Sequence, residues 1–454
     1  MNIEQIVRAQ REYFLSGATR PVERRMEALR RLRREILERE DAINAALKQD
    51  LNKSPSEAYM TEVGMVLDEL RCQLRHVRAW SRERMVQTPM AQFPSRSFVS
   101  PEPYGVALVM APWNYPFQLS LDPLVGALAA GNCVVLKPSA YAPATSQAIA
   151  DLVAACFPPE YVAVVQGGRQ ENQDLLRQRF DTIFFTGGVT VGKLVMESAA
   201  KYLTPVTLEL GGKSPCIVDS TADIALAARR IAFGKFLNAG QTCVAPDYLL
   251  VQRDVQEPLI AVLQEEIRRS FGEDPLACEY LPRIVNEKHM ERLKGLLQGA
   301  QIVCGGQTKG LRMAPTILTG VTRESPVMQE EIFGPILPVI PFDALDEAVA
   351  FVRAGEKPLA LYLFTKDRSA ERRVLDALSF GGGCINDTII HLATTHMGFG
   401  GVGQSGMGSY HGRRSFETFS HMRSIVKKAC WLDLPMRYPP YSRWKDRMVR
   451  MFLR

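Results

Sequence analysis

The sequence predicts an α/β protein built as two doubly wound parallel-sheet lobes with a cleft between them and a small extended arm. Three observations carry that prediction. From Gly105 onward, short apolar runs alternate with helical segments, the texture of a parallel sheet covered on both faces. A second βα series of the same kind starts near Val206. The chain of 454 residues is also too long for one simple core.

Taken in order, residues 22–48 ("VERRMEALRRLRREILEREDAINAALK") repeat Val22, Met26, Leu29, Leu32 and Ile36 at helical spacing, with arginines and glutamates on the other faces. "MVQTPMAQFPSRSFVSPEPYG" (85–105) is rich in proline and serine and predicts an extended arm or hairpin. "GVALVMAP", "NCVVLKPS", "YVAVVQGG" and "DTIFFTGG" read as buried strands, with "LSLDPLVGALAAG", "ATSQAIADLVAACF" and "QENQDLLRQRF" as the helices between them. The second series runs from "PVTLELGG" through "PILPVIPF" and "LALYLFTK" to "GGGCIND". Ligands of such sheets bind beyond the carboxyl ends of the strands, which here carry "APWNYP", "LKPS" and "FTGG".

Composition narrows the function class. The net charge of +6 is modest, and the basic residues gather in helix-like segments near the termini, so no nucleic-acid partner is expected. Nine cysteines are scattered without any C-x-x-C pair, and there are only six histidines. Neither a zinc site nor a disulfide framework is expected, and reduced thiols point to the cytoplasm. The first residues, "MNIEQIVRAQREYF", lack the apolar core of a signal peptide, and the apolar run "VGALAAGNCVVL" is too short to span a bilayer. The expectation is a soluble protein, at most peripheral to a membrane.

Several positions carry chemistry. Cys243 lies in "LNAGQTCVAPDY", among small and turn-forming residues rather than on an apolar face, which leaves it as packing, a metal ligand or a nucleophile. "FFTGGVTVGKLV" is a strand, a glycine turn and a helix; Gly187 and Gly192 are spaced for neither the usual dinucleotide fingerprint nor a P-loop, which leaves a phosphate site or a plain tight turn. Glu209 sits inside the apolar run "VTLEL", where it is either exposed by alternation or desolvated as a general base. Asn114 lies between two prolines in "PWNYP", a rigid loop able to hold an amide donor, although loop polarity alone also accounts for it. Together these suit one reaction: a thiolate adds to an aldehyde, aimed donors hold the oxyanion, hydride leaves, and water hydrolyses the thioester.

"PWNYP", "LKPS", "FTGG…VG", "LELGGKSP", "GQTCVAPDY" and "QEEIFGP" occur in the order found in the aldehyde dehydrogenase superfamily. "INDTIIH" and "GFGGVGQSGMGSYHGRRSFETFSH" narrow the resemblance to the class 3 type, which includes fatty-aldehyde dehydrogenases. The resemblance covers roughly residues 20 to 440. It implies a Rossmann-like NAD(P)-binding lobe (1–82 and 105–206), a catalytic lobe (207–418), a β oligomerisation arm (83–104 and 419–436) and, beyond them, a basic tail (437–454). It assigns Cys243 as nucleophile, Glu209 as general base and Asn114 as oxyanion donor. Glu331 would orient the nicotinamide ribose and Phe333 would lie beside the nicotinamide, with Trp113 on the same cofactor side. Lys137 would reach the adenosine ribose, while Gly187 and Gly192 would flank the pyrophosphate. A homodimer acting on medium- or long-chain aliphatic or aromatic aldehydes is expected, with Tyr115 and the segment around Ile389–Thr395 at the entrance.

Two departures matter. Where relatives often carry a glutamate after "LKPS", this chain has Ala140, so no carboxylate there repels a 2′-phosphate and acceptance of NADP as well as NAD is expected. At the tail, Trp444, Met448 and Phe452 recur among Arg443, Lys445, Arg447, Arg450 and Arg454 as a basic amphipathic helix. Packing on a neighbouring subunit or fraying in solvent is favoured over contact with a membrane surface. Two other functions compete: a CoA-acylating dehydrogenase, and a cysteine hydrolase or acyltransferase that would need a histidine at the thiol.

Overall fold

In the computed structural model, which describes residues 2–453, the strands Val106–Met110 and Cys133–Lys137 are buried at every position. A strand is buried on both sides only where both faces of its sheet are covered, and these two form the middle of a parallel sheet. That sheet has six strands, in spatial order Gly406–Met407, Val206–Leu210, Thr182–Gly187, Val106–Met110, Cys133–Lys137 and Val162–Val164. All run parallel except Gly406–Met407. The chain enters at Val106–Met110, winds outward through Cys133–Lys137, and returns to the other side at Thr182–Gly187. The winding therefore switches between Val106–Met110 and Thr182–Gly187, where a crevice opens at the strand ends. The helix Gln118–Ala130, buried along its whole length, begins just past that crevice.

The second sheet has seven strands, in the order Gln301–Cys304, Thr316–Thr319, Ile336–Phe342, Tyr248–Gln252, Pro215–Val218, Ala360–Phe364 and Gly382–Ile385. Only the outermost, Gln301–Cys304, is antiparallel to its neighbour. The fold class read from the sequence is thus the observed one, but the lobe boundary moves. Val206–Leu210 pairs in parallel with Thr182–Gly187 and closes the first sheet instead of opening the second. Gly406–Met407, within the span 207–418, also returns to the first sheet. A fully apolar run reveals that a strand is buried and not which sheet buries it. The crossover falls at 211–214, so Glu209 belongs to the first lobe.

Residues 22–48 form two helices, Val22–Glu38 and Glu40–Leu51, interrupted at Arg39, whose φ of −110° and ψ of 12° are not helical. Further on, the helical stretch before Gly64–Trp80 widens at Tyr59–Val63 into a π-helical turn, which accommodates one additional residue. Ser95–Pro103 and Ser420–Lys428 pair antiparallel along nine residues, with Arg84–Val86 on the far side of Ser95–Pro103. This three-stranded arm has Ser420–Lys428 as an open edge carrying exposed Met422 and Val426. The tail helix Arg443–Phe452 lies back on the arm: Val449, Phe452 and Leu453 share a cavity with Ala91, Val426 and Met436, while Trp444 and Met451 face outward. Lys445 Nζ donates to the carbonyls of Tyr438 and Pro440, both at 2.9 Å. Arg454 of the basic tail lies outside the described residues.

Candidate active site

Cys243 follows a tight turn that the sequence makes at some conformational cost. Asn238 and Ala239 both take left-handed conformations, φ 51° and 52°, which side chains other than glycine seldom adopt. Hydrogen bonds hold them there. Gln241, fully buried, donates from Nε2 to the carbonyls of Asn238 and Arg283, each at 3.0 Å, and accepts from the N–H of Val285 at 3.0 Å. On the other side of the sulfur, the Tyr362 hydroxyl donates to the carbonyl of Val244 at 2.5 Å. The Thr242 hydroxyl meets the Tyr115 hydroxyl at 2.6 Å. The cysteine therefore sits on a loop fixed at both ends.

The first lobe supplies the facing loop. Asn114, 2 % exposed, donates from Nδ2 to the carbonyl of Gln241 at 3.0 Å, while Asn238 Nδ2 donates back to the carbonyl of Asn114 at 2.8 Å. This reciprocal pair ties the loop after Val106–Met110 to the cysteine loop of the second lobe. One hydrogen of the Asn114 amide is used in this way, and the other is left for a ligand. Beneath the loop, Lys53 and Glu62 form a fully buried ion pair at 2.6 Å. Sequence reading missed both: Lys53 lies in the short loop after Leu51 and Glu62 in a helical stretch, and in either place a charged residue reads as surface.

Glu209 is buried, and neither carboxylate oxygen has a partner among the described residues. Burial pushes its pKa well above the ordinary carboxylate value. Glu331 arrives from the second lobe and packs against Gly211, where a Cβ would stand 2.0 Å from its carboxylate oxygen and displace it. Burial, reinforced by the charge of Asp247, raises Glu331 to about 8, against the N–H of Gly212 and the charges of Lys213 and Arg292. Lys213 fixes the loop that carries it, pairing with Asp247 and donating to the carbonyls of Val327 at 3.0 Å and Glu330 at 2.7 Å. Burial, with the charges of Glu331 and Glu209, pushes the Cys243 thiol up to about 12, opposed by the N–H groups of Cys243 and Val244. The thiol and these two carboxyls thus converge in one cleft.

The dinucleotide side can be tested on its own geometry. No side chain caps the helix Val189–Ala200, and a Cβ on its N-cap, Gly188, would meet nothing within 4 Å, so the first-turn N–H groups are open to an anion. Gly187 stands at the carboxyl end of the adjoining strand. Gly192, by contrast, points inward: a Cβ there would come within 2.7 Å of Leu210 Cδ2, so its smallness serves helix-on-strand packing and not a phosphate contact. Lys137 ends its strand on the same edge of the sheet, its Nζ 2.8 Å from the carbonyl of Pro138. Burial lowers its pKa, while the charge of Glu171, another residue the sequence reading passed over, opposes that shift. Trp113 and Phe333 meet edge to face at 5.3 Å across the lobes, with Phe333 in a left-handed conformation at φ 47°. The residues present fit a dinucleotide.

Cys243 opens into an apolar cavity of about 170 Å³. Tyr115, Ile389, Ile390, Leu392 and Ala393 line it, joined by Met60, Leu119 and Phe233. Of the expected entrance, Tyr115 and Ile389, Ile390, Leu392 and Ala393 are on its wall, while His391, Thr394 and Thr395 are not. Tyr410 and His411 complete it, the latter lowered to about 4 by burial. Among the described residues the Cys–His contacts are Cys72–His76 and Cys384–His391, and no histidine bonds Cys243. His411 shares the cavity without bonding the thiol, so the bonded Cys–His pair of a cysteine hydrolase is not formed among the described residues.

Comparison with known proteins agrees with this geometry. The profile of the aldehyde dehydrogenase family matches residues 1–425. The 4,4'-diaponeurosporen-aldehyde dehydrogenase of Staphylococcus aureus is 46% identical, the alignment covering 100% of this chain and 99% of that protein. Human aldehyde dehydrogenase family 3 member B1 is 47% identical over 98% of this chain and 96% of its own length. Among solved structures, the substrate-bound state of Staphylococcus aureus AldH superposes with a TM-score of 0.98 at 46% identity, covering 100% of both chains. A betaine aldehyde dehydrogenase of the same organism in complex with NAD+ superposes with a TM-score of 0.85 at 27% identity, covering 95% of this chain and 90% of that one.

Without cofactor, a thiol raised to about 12 is almost wholly protonated at neutral pH. Iodoacetamide inactivation is therefore expected to be slow at pH 7 and to accelerate about tenfold per pH unit up to pH 9. A rate that levels off below pH 8 would show a thiol already ionised.

Proposed function

The chain belongs to the aldehyde dehydrogenase family, and on that footing we propose which of its residues carry the reaction. It is an NAD(P)-dependent enzyme that oxidises aldehydes to carboxylic acids through a catalytic cysteine. We assign that cysteine as Cys243. Its thiolate adds to the carbonyl carbon, and the oxyanion is met by the free hydrogen of the Asn114 amide and the N–H of Cys243. When bound, the oxidised nicotinamide supplies the acceptor for the hydride that leaves as the carbonyl re-forms. Glu209 then takes a proton from water, which attacks the thioester and releases the acid and the thiolate. The observation that carries the assignment is the clasp between the Asn114 and Cys243 loops at the inner end of an apolar pocket.

Several finer readings follow from the same residues. The pocket wall of Met60, Tyr115, Leu119, Phe233, Ile390 and Leu392 suits medium- or long-chain aliphatic or aromatic aldehydes. The unsatisfied, buried Glu209 favours hydrolysis of the thioester over its transfer to CoA. At the adenosine end, Ala140 is exposed and carries no carboxylate, which supports acceptance of NADP, with Lys137 as counter-charge and Glu171 working against it. Gly187 and Gly188 at the helix start would receive the pyrophosphate, while Glu331, Phe333 and Trp113 would hold the nicotinamide end. The arm's open edge supports a homodimer. Tail packing on the arm, which occupies Lys445, disfavours membrane contact. Free cysteines support a cytoplasmic location, which detection of the native protein chiefly in a membrane fraction would refute.

Three measurements test these proposals. Cys243→Ala should abolish turnover, whereas Glu209→Gln should keep a first burst of reduced cofactor, slow steady turnover by about 10²- to 10⁴-fold, and accumulate a thioester visible by mass spectrometry of Cys243; a burst yielding acyl-CoA on addition of CoA would refute the hydrolytic role. Steady-state kinetics should find turnover with both NAD and NADP, with Glu171→Gln lowering the KM for NADP; activity with NAD and none with NADP would defeat the Ala140 argument. In sedimentation the protein should behave as a dimer and remain in the supernatant with anionic vesicles, whether or not residues 437–454 are present. A monomer would refute the role given to the arm, and tail-dependent pelleting would refute the disfavouring of membrane contact.

A further inference from the structure

We propose that the Lys53–Glu62 pair is a positioning device for catalysis, holding the loop that aims the Asn114 amide at the oxyanion. The proposal rests on the reading of Asn114 as an oxyanion donor. Both side chains are fully buried, 2.6 Å apart, and neither lines the pocket that Cys243 opens into. Every remaining side-chain hydrogen bond of the pair falls on residues 114–118. Lys53 Nζ donates to the carbonyl of Asn114 at 3.1 Å and lies 3.9 Å above the ring of Tyr115. The second oxygen of Glu62 accepts the N–H of Phe117 at 2.8 Å and of Gln118 at 3.1 Å. The loop is thus gripped at its acceptor by the cation and at its donors by the anion, and the start of the Gln118–Ala130 helix is fixed with it.

The local backbone is shaped to bring this about. Glu62 belongs to the π-helical turn Tyr59–Val63, whose neighbouring residues Met60 and Thr61 line the cavity. π-turns concentrate at functional sites because they re-aim one side chain without breaking a helix. A buried ion pair is weak evidence for stability, since apolar residues of similar volume often serve as well. Placement explains this one better: a loop carrying a transition-state donor must hold its position to a fraction of an ångström, and charge-assisted hydrogen bonds supply direction that apolar packing lacks.

The test pairs K53M/E62Q with N114A. In K53M/E62Q the glutamine oxygen still accepts from Phe117 and Gln118, the methionine fills the lysine's place, and no buried charge is left alone. What is lost is the cation's hold on the Asn114 carbonyl and the Tyr115 ring, together with the charge that strengthens the bonds to Phe117 and Gln118. The expected result is a fall in kcat of about 10- to 100-fold. The aldehyde KM, the NAD dissociation constant and the iodoacetamide alkylation rate of Cys243 should stay within about twofold of the parent, a pattern that general loosening of the fold would not give. Adding N114A should cost little more, because both changes remove the same donor. A K53M/E62Q enzyme with parental kcat beside a crippled N114A overturns the positioning role alone, as does a loss that multiplies fully with that of N114A. Parental kcat in N114A itself refutes the oxyanion assignment. Should K53M/E62Q fail to fold, E62Q alone decides by the same readouts: a loss confined to kcat supports the proposal and an unchanged kcat overturns it.

Discussion

Everything chemical in this molecule depends on the reciprocal hydrogen bonding between Asn114 and the Asn238–Gln241 turn. The two loops come from different lobes, and the turn contains consecutive residues in a left-handed conformation that would relax if left alone. Buried amides left unpaired would cost about 1–3 kcal/mol each, so the clasp is favoured once the lobes meet and penalised strongly if they part. The same contact that joins the lobes also sets the distance between the sulfur and the amide. Assembly of the site and closure of the interface are one event.

The second constraint is charge. Glu209, Asp122 and Glu62 are buried and Glu331 half-buried around the cavity and its supporting loops, and desolvation raises all four. Lys213 and Arg292 act on Glu331, Lys53 is committed to Glu62, and Lys235 is buried without a hydrogen-bond partner among the described residues, lowered by burial to about 8. The interior therefore resists further negative charge, and the Cys243 thiol is held protonated by the same environment that makes Glu209 a stronger base. A thiolate in this cleft needs compensating positive charge nearby, or donors aimed at it.

Much of this was legible in the sequence, because some signals are local. Short apolar runs identified the strands of the first sheet other than Gly406–Met407. In the second only Ile336–Phe342, Ala360–Phe364 and Gly382–Ile385 were read, while Pro215–Val218, Tyr248–Gln252, Gln301–Cys304 and Thr316–Thr319 were not. The glycine turn before Val189 marked a helix start. Cys243, Glu209 and Asn114 stood out by being the wrong residue for their surroundings. What was hidden is non-local. The strand carrying Glu209 was read into the second lobe, since burial on both faces gives no hint of which neighbours pair with it. Gly192 resembled a phosphate glycine until the side chain of Leu210 appeared behind it. Lys53 and Glu62 lie 9 residues apart, and no pattern in that stretch says that they turn inward toward a loop more than fifty residues downstream. Charged residues are solvated by default, and only the fold reverses that default.

The π-helical turn at Tyr59–Val63 has a consequence for how this chain can vary over evolution. Removing a single amino acid there would restore an ordinary α-helix, but it would swing everything on one side of the cut by about 100° relative to the other. Glu69 and Gln73, which bind the backbone of Gly412, would then face away from that partner, or Lys53 would lose Glu62. A change of length in this segment would therefore disrupt contacts on one side or the other that a single replacement could leave intact.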